Sequence, residues 1–126
     1  MHDKKVESLL KPFEFVDYKT TLYHIVKNVN WRQHSSVAVL DEDKHAFGII
    51  TEEDIVKAEE KEVNFKSTQA WEICSHRLIS IESSKPIKDA IALMVEKNIH
   101  HLAVLDEGQL VGIISSLDIL RNQIAE

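Results

Sequence analysis

Apolar side chains recur with helical spacing in two stretches of the chain. Leu22, Ile25, Val26 and Val29 fall at i, i+3, i+4 and i+7, and so do Ile87, Ala90, Ile91 and Met94. That spacing gathers four apolar groups on one helical face. Pro86 suits the first position of the second helix, where its missing N–H costs nothing. Shorter apolar runs around each stretch read as strands. Glu14-Phe15-Val16 precedes the first helix, and Val37 to Leu40 and Ala46 to Ile50 follow it. Leu78-Ile79-Ser80-Ile81 precedes the second, and His101 to Leu105 and Leu110 to Ile114 follow it, separated by a turn at Asp106-Glu107-Gly108. A closing helix ends each set, over Thr51 to about Glu62 and over Ser115 to about Gln123, with Leu117, Ile119, Leu120 and Ile124 as apolar positions of the latter.

The two sets are copies of one another. Ala38-Val39-Leu40-Asp41-Glu42 recurs as Ala103-Val104-Leu105-Asp106-Glu107, and Gly48-Ile49-Ile50 as Gly112-Ile113-Ile114. Asp-Ile follows in each, at Asp54-Ile55 and Asp118-Ile119. The offset is 65 residues for the first match and 64 for the second, and the lost residue falls in the turn between Asp41 and Gly48. Two matches in the same order at nearly one offset mark an internal repeat. The fold class is therefore α+β, a β-α-β-β-α unit taken twice, with 1–63 as the first repeat and 64–126 as the second. Asn64 to Ala70 joins them, and the charged run Lys57 to Glu62 is a solvated helix face. Half of 126 residues is too little to bury a good core alone. The repeats are expected to pack face to face about a pseudo-twofold axis, leaving two related clefts at the seam.

Composition narrows the partners. Fifteen Lys and Arg against 21 Asp and Glu leave a net charge of −6, which disfavours a nucleic-acid footprint. No apolar run approaches the roughly 20 residues that span a bilayer, and MHDKKVESLLKPF has no apolar signal core. The single cysteine, Cys74, has no partner for an internal disulfide and sits in a mildly apolar helical turn, where a buried thiol is the common case. A reducing, cytoplasmic setting is the simplest expectation. With three glycines there is no glycine-rich phosphate loop. Seven histidines show no HExxH or CxxC spacing, and there is no GxSxG elbow, so no catalytic residue and no metal site is assigned.

The repeated motif carries chemistry of its own. Gly48 and Gly112 end strands, where a missing side chain admits another backbone or a ligand. Thr51 and Ser115 sit where strand turns to helix, and a hydroxyl beside free N–H groups can meet a phosphate. Asp54 and Asp118 come three residues later, and a carboxylate can accept both hydroxyls of a ribose. The same spacing is also a helix capping box. For Ser115 and Asp118 a dual role is expected, cap and ligand contact; for Thr51 and Asp54 both readings stand.

GIITEEDIV and GIISSLDIL resemble the closing motif of CBS domains, and IKDAIALMVEKNIHHLAVLDEGQLVGIISSLDIL resembles that family along its whole length. The resemblance, from about Val6 to Ile124, is to one stand-alone tandem pair. It implies a regulatory module that binds an adenosyl ligand (AMP, ADP, ATP or S-adenosylmethionine) in the clefts and signals to a regulated partner protein, as a flat homodimer and without a catalytic cofactor. It places phosphate contacts at His100 and His101, with Ser35 and Ser36 as the uncharged equivalents in the first repeat. It places Ile49 and Ile113 beside the adenine, with main-chain groups from the short strands at Glu14 to Val16 and Ile79 to Ile81, each strand coming from the opposite copy. Two departures bear on it. The family's usual Arg is absent beside the histidines, and Glu52-Glu53 follow Thr51, so the second site is better equipped for a phosphate. A dimerisation or scaffolding module with vestigial clefts is the alternative.

Overall fold

A computed structural model describes residues 4–76 and 78–125. The chain divides into two compact units, Phe13–Leu78 and a second that joins Met1–Pro12 to Ile79–Glu126. In the first unit the order is β1 (Glu14–Asp17), α1 (Leu22–Asn28), β2 (Ser36–Leu40), β3 (Ala46–Thr51), α2 (Glu52–Glu60) and the single turn α3 (Ala70–Ile73). In the second, a 3-10 turn over Val6–Leu9 accompanies β4 (Ser80–Glu82), α4 (Ile87–Lys97), β5 (His101–Asp106), β6 (Gln109–Ser115) and α5 (Ser116–Ala125). The β-α-β-β-α unit is thus present twice. Pro86 sits one residue earlier than expected, as the N-cap of α4 with extended backbone, and Ile87 opens the helix.

Each unit has a three-stranded sheet, ordered β1-β2-β3 and β4-β5-β6. β1 runs parallel to β2 with Val16 opposite Val39, and β2 runs antiparallel to β3 with Ala38 opposite Ile49. The second sheet repeats this, with Ile81 opposite Val104 and Ala103 opposite Ile113. Each short strand pairs in parallel with the strand that follows α1 or α4 in its own repeat and forms one edge of that sheet.

The cores follow the apolar periodicity, with one correction. Leu22 and Ile25 on α1 are fully buried, as is Ala90 on α4, with Ile87 and Met94 at 6% exposure. Val26 and Ile91, the i+4 members of the two expected faces, are 42% and 39% exposed. They occupy equivalent positions, so each helix buries a stripe narrower than its apolar face.

The arms at 5–12 and 64–76, of which the sequence marks only the helical turn before Cys74, complete both cores. Val6 and Ala70 are fully buried. Val6 N–H donates to Lys85 O at 2.8 Å and Ile87 N–H to Lys4 O at 2.9 Å. In the other unit Leu22 N–H donates to Thr68 O at 2.9 Å and Ala70 N–H to Thr20 O at 2.7 Å. The arm preceding the first repeat therefore belongs to the unit of the second, and the reverse.

Candidate functional site

In each unit the end of the third strand passes into a helix through a capping box. Thr51 N–H donates to Asp54 Oδ2 at 2.8 Å, and Asp54 N–H donates back to Thr51 Oγ1 at 3.4 Å. Ser115 N–H donates to Asp118 Oδ2 at 2.8 Å, and Asp118 N–H to Ser115 Oγ at 3.1 Å. The capping role of all four residues is therefore real. Two donors at each helix start, otherwise unsatisfied, are paired.

The carboxylates differ in their second oxygen. Asp54 spends both local bonds on Oδ2, which also accepts Thr51 Oγ1–H at 3.2 Å. Asp118 Oδ1 instead accepts from Lys11 Nζ at 2.7 Å, an ion pair across 107 residues of sequence. Burial pushes the Asp118 pKa up, but the Lys11 ammonium and the Ser115 N–H outweigh it, and the carboxyl lies below its usual range.

The flanking side chains differ in charge. The first turn of α2 carries Glu52, Glu53 and Asp54, which suit the positive helix start but repel an anion. The first turn of α5 carries Asp118 as its acid. Ser116 stands where Glu52 does, its N–H donating to His100 O at 2.9 Å and its Oγ 3.4 Å from His100 Nδ1. His101 lies across the ladder from Ser115, as Ser36 does from Thr51. Ser36 is buried, while Ser35 and His100 are exposed.

The two glycines mark a further asymmetry. A side chain at Gly48 would collide with Ser75 O and lie 2.8 Å from Cys74 Sγ. The backbone that approaches is the chain's own: Ile49 N–H donates to Ser75 O at 3.1 Å, and Ser75 N–H to Ile49 O at 2.9 Å. The outer edge of β3 is thus closed. At the equivalent Gly112 the neighbour is only the tip of Leu10, 2.7 Å from the added Cβ. Ala103 N–H donates to Ile79 O at 2.9 Å, so Ala103 faces β4. In an antiparallel ladder Ile113, opposite it, then turns its N–H and C=O away from β5, toward the outer edge. Among the described residues no bridge of the Ile49–Ser75 kind closes that edge.

The remaining candidates sit within or beside the cores of their units. Ile49, Ile81 and Ile113 are buried, and Val16 and Ile79 pack against the cores of their units. The Ile79 carbonyl is spent on Ala103, and Glu14 Oε1 lies 3.8 Å from His34 Nε2. Cys74 is free and buried, as its apolar surroundings suggested; burial, aided by the Asp54 charge, pushes its thiol up to about 11. In the β2–β3 turn Asp41, Asp43 and His45 bring ligand-type atoms within 4.8 Å of one another. Asp41 Oδ1 already accepts the N–H groups of Asp43 and His45 at 2.9 Å, so this carboxylate builds the turn. Lys11, Ser116 and the arm at Ser75 are the features that sequence reasoning missed.

The family model described as CBS domain matches residues 6–61 and 70–125. The chain belongs to the CBS domain family. The uncharacterized protein MK0525 of Methanopyrus kandleri is 36% identical over 94 residues, which cover 71% of this chain and 48% of that protein. The chain therefore spans under half the length of that curated relative. Among solved structures, the CBS domain pair of MJ0100 in complex with 5′-methylthioadenosine and S-adenosyl-L-methionine is 25% identical, with a TM-score of 0.80 over 97% of each chain. The CBS domain protein PAE2072 from Pyrobaculum aerophilum, complexed with AMP, is 22% identical, with a TM-score of 0.81 over 98% of this chain and 100% of that one. Among the described residues no helix is long and apolar enough to cross a membrane.

Proposed function

We propose that this CBS pair is a regulatory binding module, not a catalyst, that takes one adenosyl ligand per chain at the β6–α5 junction. The observation that carries this is that, among the described residues, no backbone bridge occupies the outer edge of β6 at Ile113, whereas Ser75 closes that of β3 at Ile49. An N–H and a C=O on one residue complement the acceptor and donor edge of adenine. Asp118 then takes the ribose hydroxyls, and Ser115, Ser116 and His100 line the start of α5 for a tail. At the first repeat, Ser75 fills the edge and Glu52 and Glu53 surround the cap. The AMP and S-adenosylmethionine complexes of the similar CBS proteins support an adenosyl ligand. Ligand binding shifts the module only by its differential affinity for two arrangements, and a regulated partner protein reads that shift.

Thermal unfolding with millimolar AMP, ATP or S-adenosylmethionine tests this. A ligand at 100 times its dissociation constant adds about 2.7 kcal/mol. Asp118→Ala should abolish the shift and Asp54→Ala should preserve it; the reverse order refutes the assignment.

A second reading, a dimerisation or scaffolding module, is favoured by the exposed apolar groups. Val26 and Ile91 stand out at equivalent positions, and Val95 and Ile124 are 76% and 83% exposed. A homodimer formed through such groups is compatible with both readings. Ile91→Glu with Val95→Glu should shift the sedimenting species to monomer if these helices form its interface.

A further inference from the structure

We propose that Lys11 makes the second-repeat site selective for adenosyl ligands with negative charge next to the ribose, adenine nucleotides, over neutral or sulfonium-bearing ones. The proposal rests on the site assignment above. Lys11 Nζ holds Asp118 Oδ1 at 2.7 Å, while Ser115 N–H holds Oδ2 at 2.8 Å. A ribose that takes both carboxylate oxygens must share or displace that ammonium. The Asp118 side chain is 11% exposed and cannot follow it far, whereas Lys11, 41% exposed on a four-carbon stem, can swing.

A displaced ammonium needs a new counter-charge. Beside Asp118 itself, the described groups placed at the start of α5 are Ser115, Ser116 and His100, with His101 across the ladder from Ser115, and none of these four is an anion. A 5′-phosphate supplies the charge, and Lys11 exchanges one anionic partner for another. Adenosine leaves the ammonium competing with the ribose for Asp118, and a sulfonium adds a second cation to the same space. The first repeat reverses each feature: Ser75 replaces Lys11 in the arm, and Glu52 replaces Ser116. Net charge could not reveal this, because a single cation is placed by the fold.

The test is calorimetric titration of wild type, Lys11→Met and Lys11→Arg with AMP, adenosine and S-adenosylmethionine at one ionic strength. Wild type should bind AMP at least about tenfold tighter than adenosine, the scale of one charge-assisted hydrogen bond. Lys11→Met should weaken AMP and leave adenosine and S-adenosylmethionine equal or tighter, so that the preference collapses; Lys11→Arg should retain it. An AMP-to-adenosine ratio unchanged in Lys11→Met overturns the proposal while leaving the site assignment standing. Absence of binding of all three ligands by wild type overturns the site assignment and the proposal together.

Discussion

Replacing each motif glycine by alanine separates the two repeats energetically. Neither Gly48 nor Gly112 has a left-handed φ, so alanine suits both backbones, and the gain from a stiffer unfolded chain is common to both. What differs is the obstacle. At Gly48 the added methyl meets the Ser75 carbonyl and Cys74 Sγ, and Ser75 is held by two hydrogen bonds to Ile49. Relief requires moving backbone. Two backbone hydrogen bonds at about 1 kcal/mol each, with about 1 kcal/mol or more of overpacking, bring the cost to about 3 kcal/mol. At Gly112 the obstacle is Leu10 Cδ2, the far end of a half-buried side chain. A rotamer change costs about 1 kcal/mol. Gly48→Ala should therefore destabilise by about 2 kcal/mol more than Gly112→Ala. Urea unfolding of both variants, with linear extrapolation to water, measures the difference. Equal costs, or a larger cost at Gly112, would refute the view that a backbone bridge closes the first edge and a side chain merely covers the second.

Other outcomes follow from the same contacts. Ser115→Ala and Thr51→Ala should each lose about 1 kcal/mol in chemical denaturation as broken caps, but only Ser115→Ala should also lose AMP affinity. The Cys74 thiol, pushed up to about 11 from an ordinary 9.0, should react with iodoacetamide at pH 8 roughly a hundredfold more slowly in the native protein than in urea; equal rates would place the thiol at the surface. Because the folded Asp118 carboxyl lies below its ordinary 3.8, its contribution is present above that value and is lost as pH falls through the folded one. Acid unfolding should accordingly begin at higher pH in Lys11→Met than in wild type, and an unchanged acid midpoint would show that the ion pair contributes nothing.

Much of the fold was legible because its signals are local. The helical spacing of Leu22 and Ile25 and of Ile87, Ala90 and Met94 is written in consecutive residues, and the Gly-Ile-Ile strands repeat openly. The capping boxes were legible for the same reason, since Thr51 to Asp54 and Ser115 to Asp118 span one helical turn. The docking of the arms was not. Val6, Leu9 and Leu10 and their equivalents Ala70, Ile73 and Cys74 keep one i, i+3, i+4 apolar pattern, of which only the turn before Cys74 stands out, and neither stretch shows which repeat it packs on. For the same reason nothing near Asp118 announces Lys11, and nothing near Ile49 announces Ser75. Pairings that close over tens of residues are decided by packing, which periodicity does not encode. The outward exposure of Val26 and Ile91 was hidden for a related reason: spacing tells which groups share a face, not how wide a stripe the sheet covers.

The asymmetry between the two strand edges is most directly tested by the stoichiometry of nucleotide binding. Calorimetric titration of the wild-type chain with AMP should saturate at one ligand per chain, with the second-repeat site occupied and the first closed by Ser75. Saturation at two per chain, or one per chain that survives Asp118→Ala and disappears with Asp54→Ala, would contradict the account.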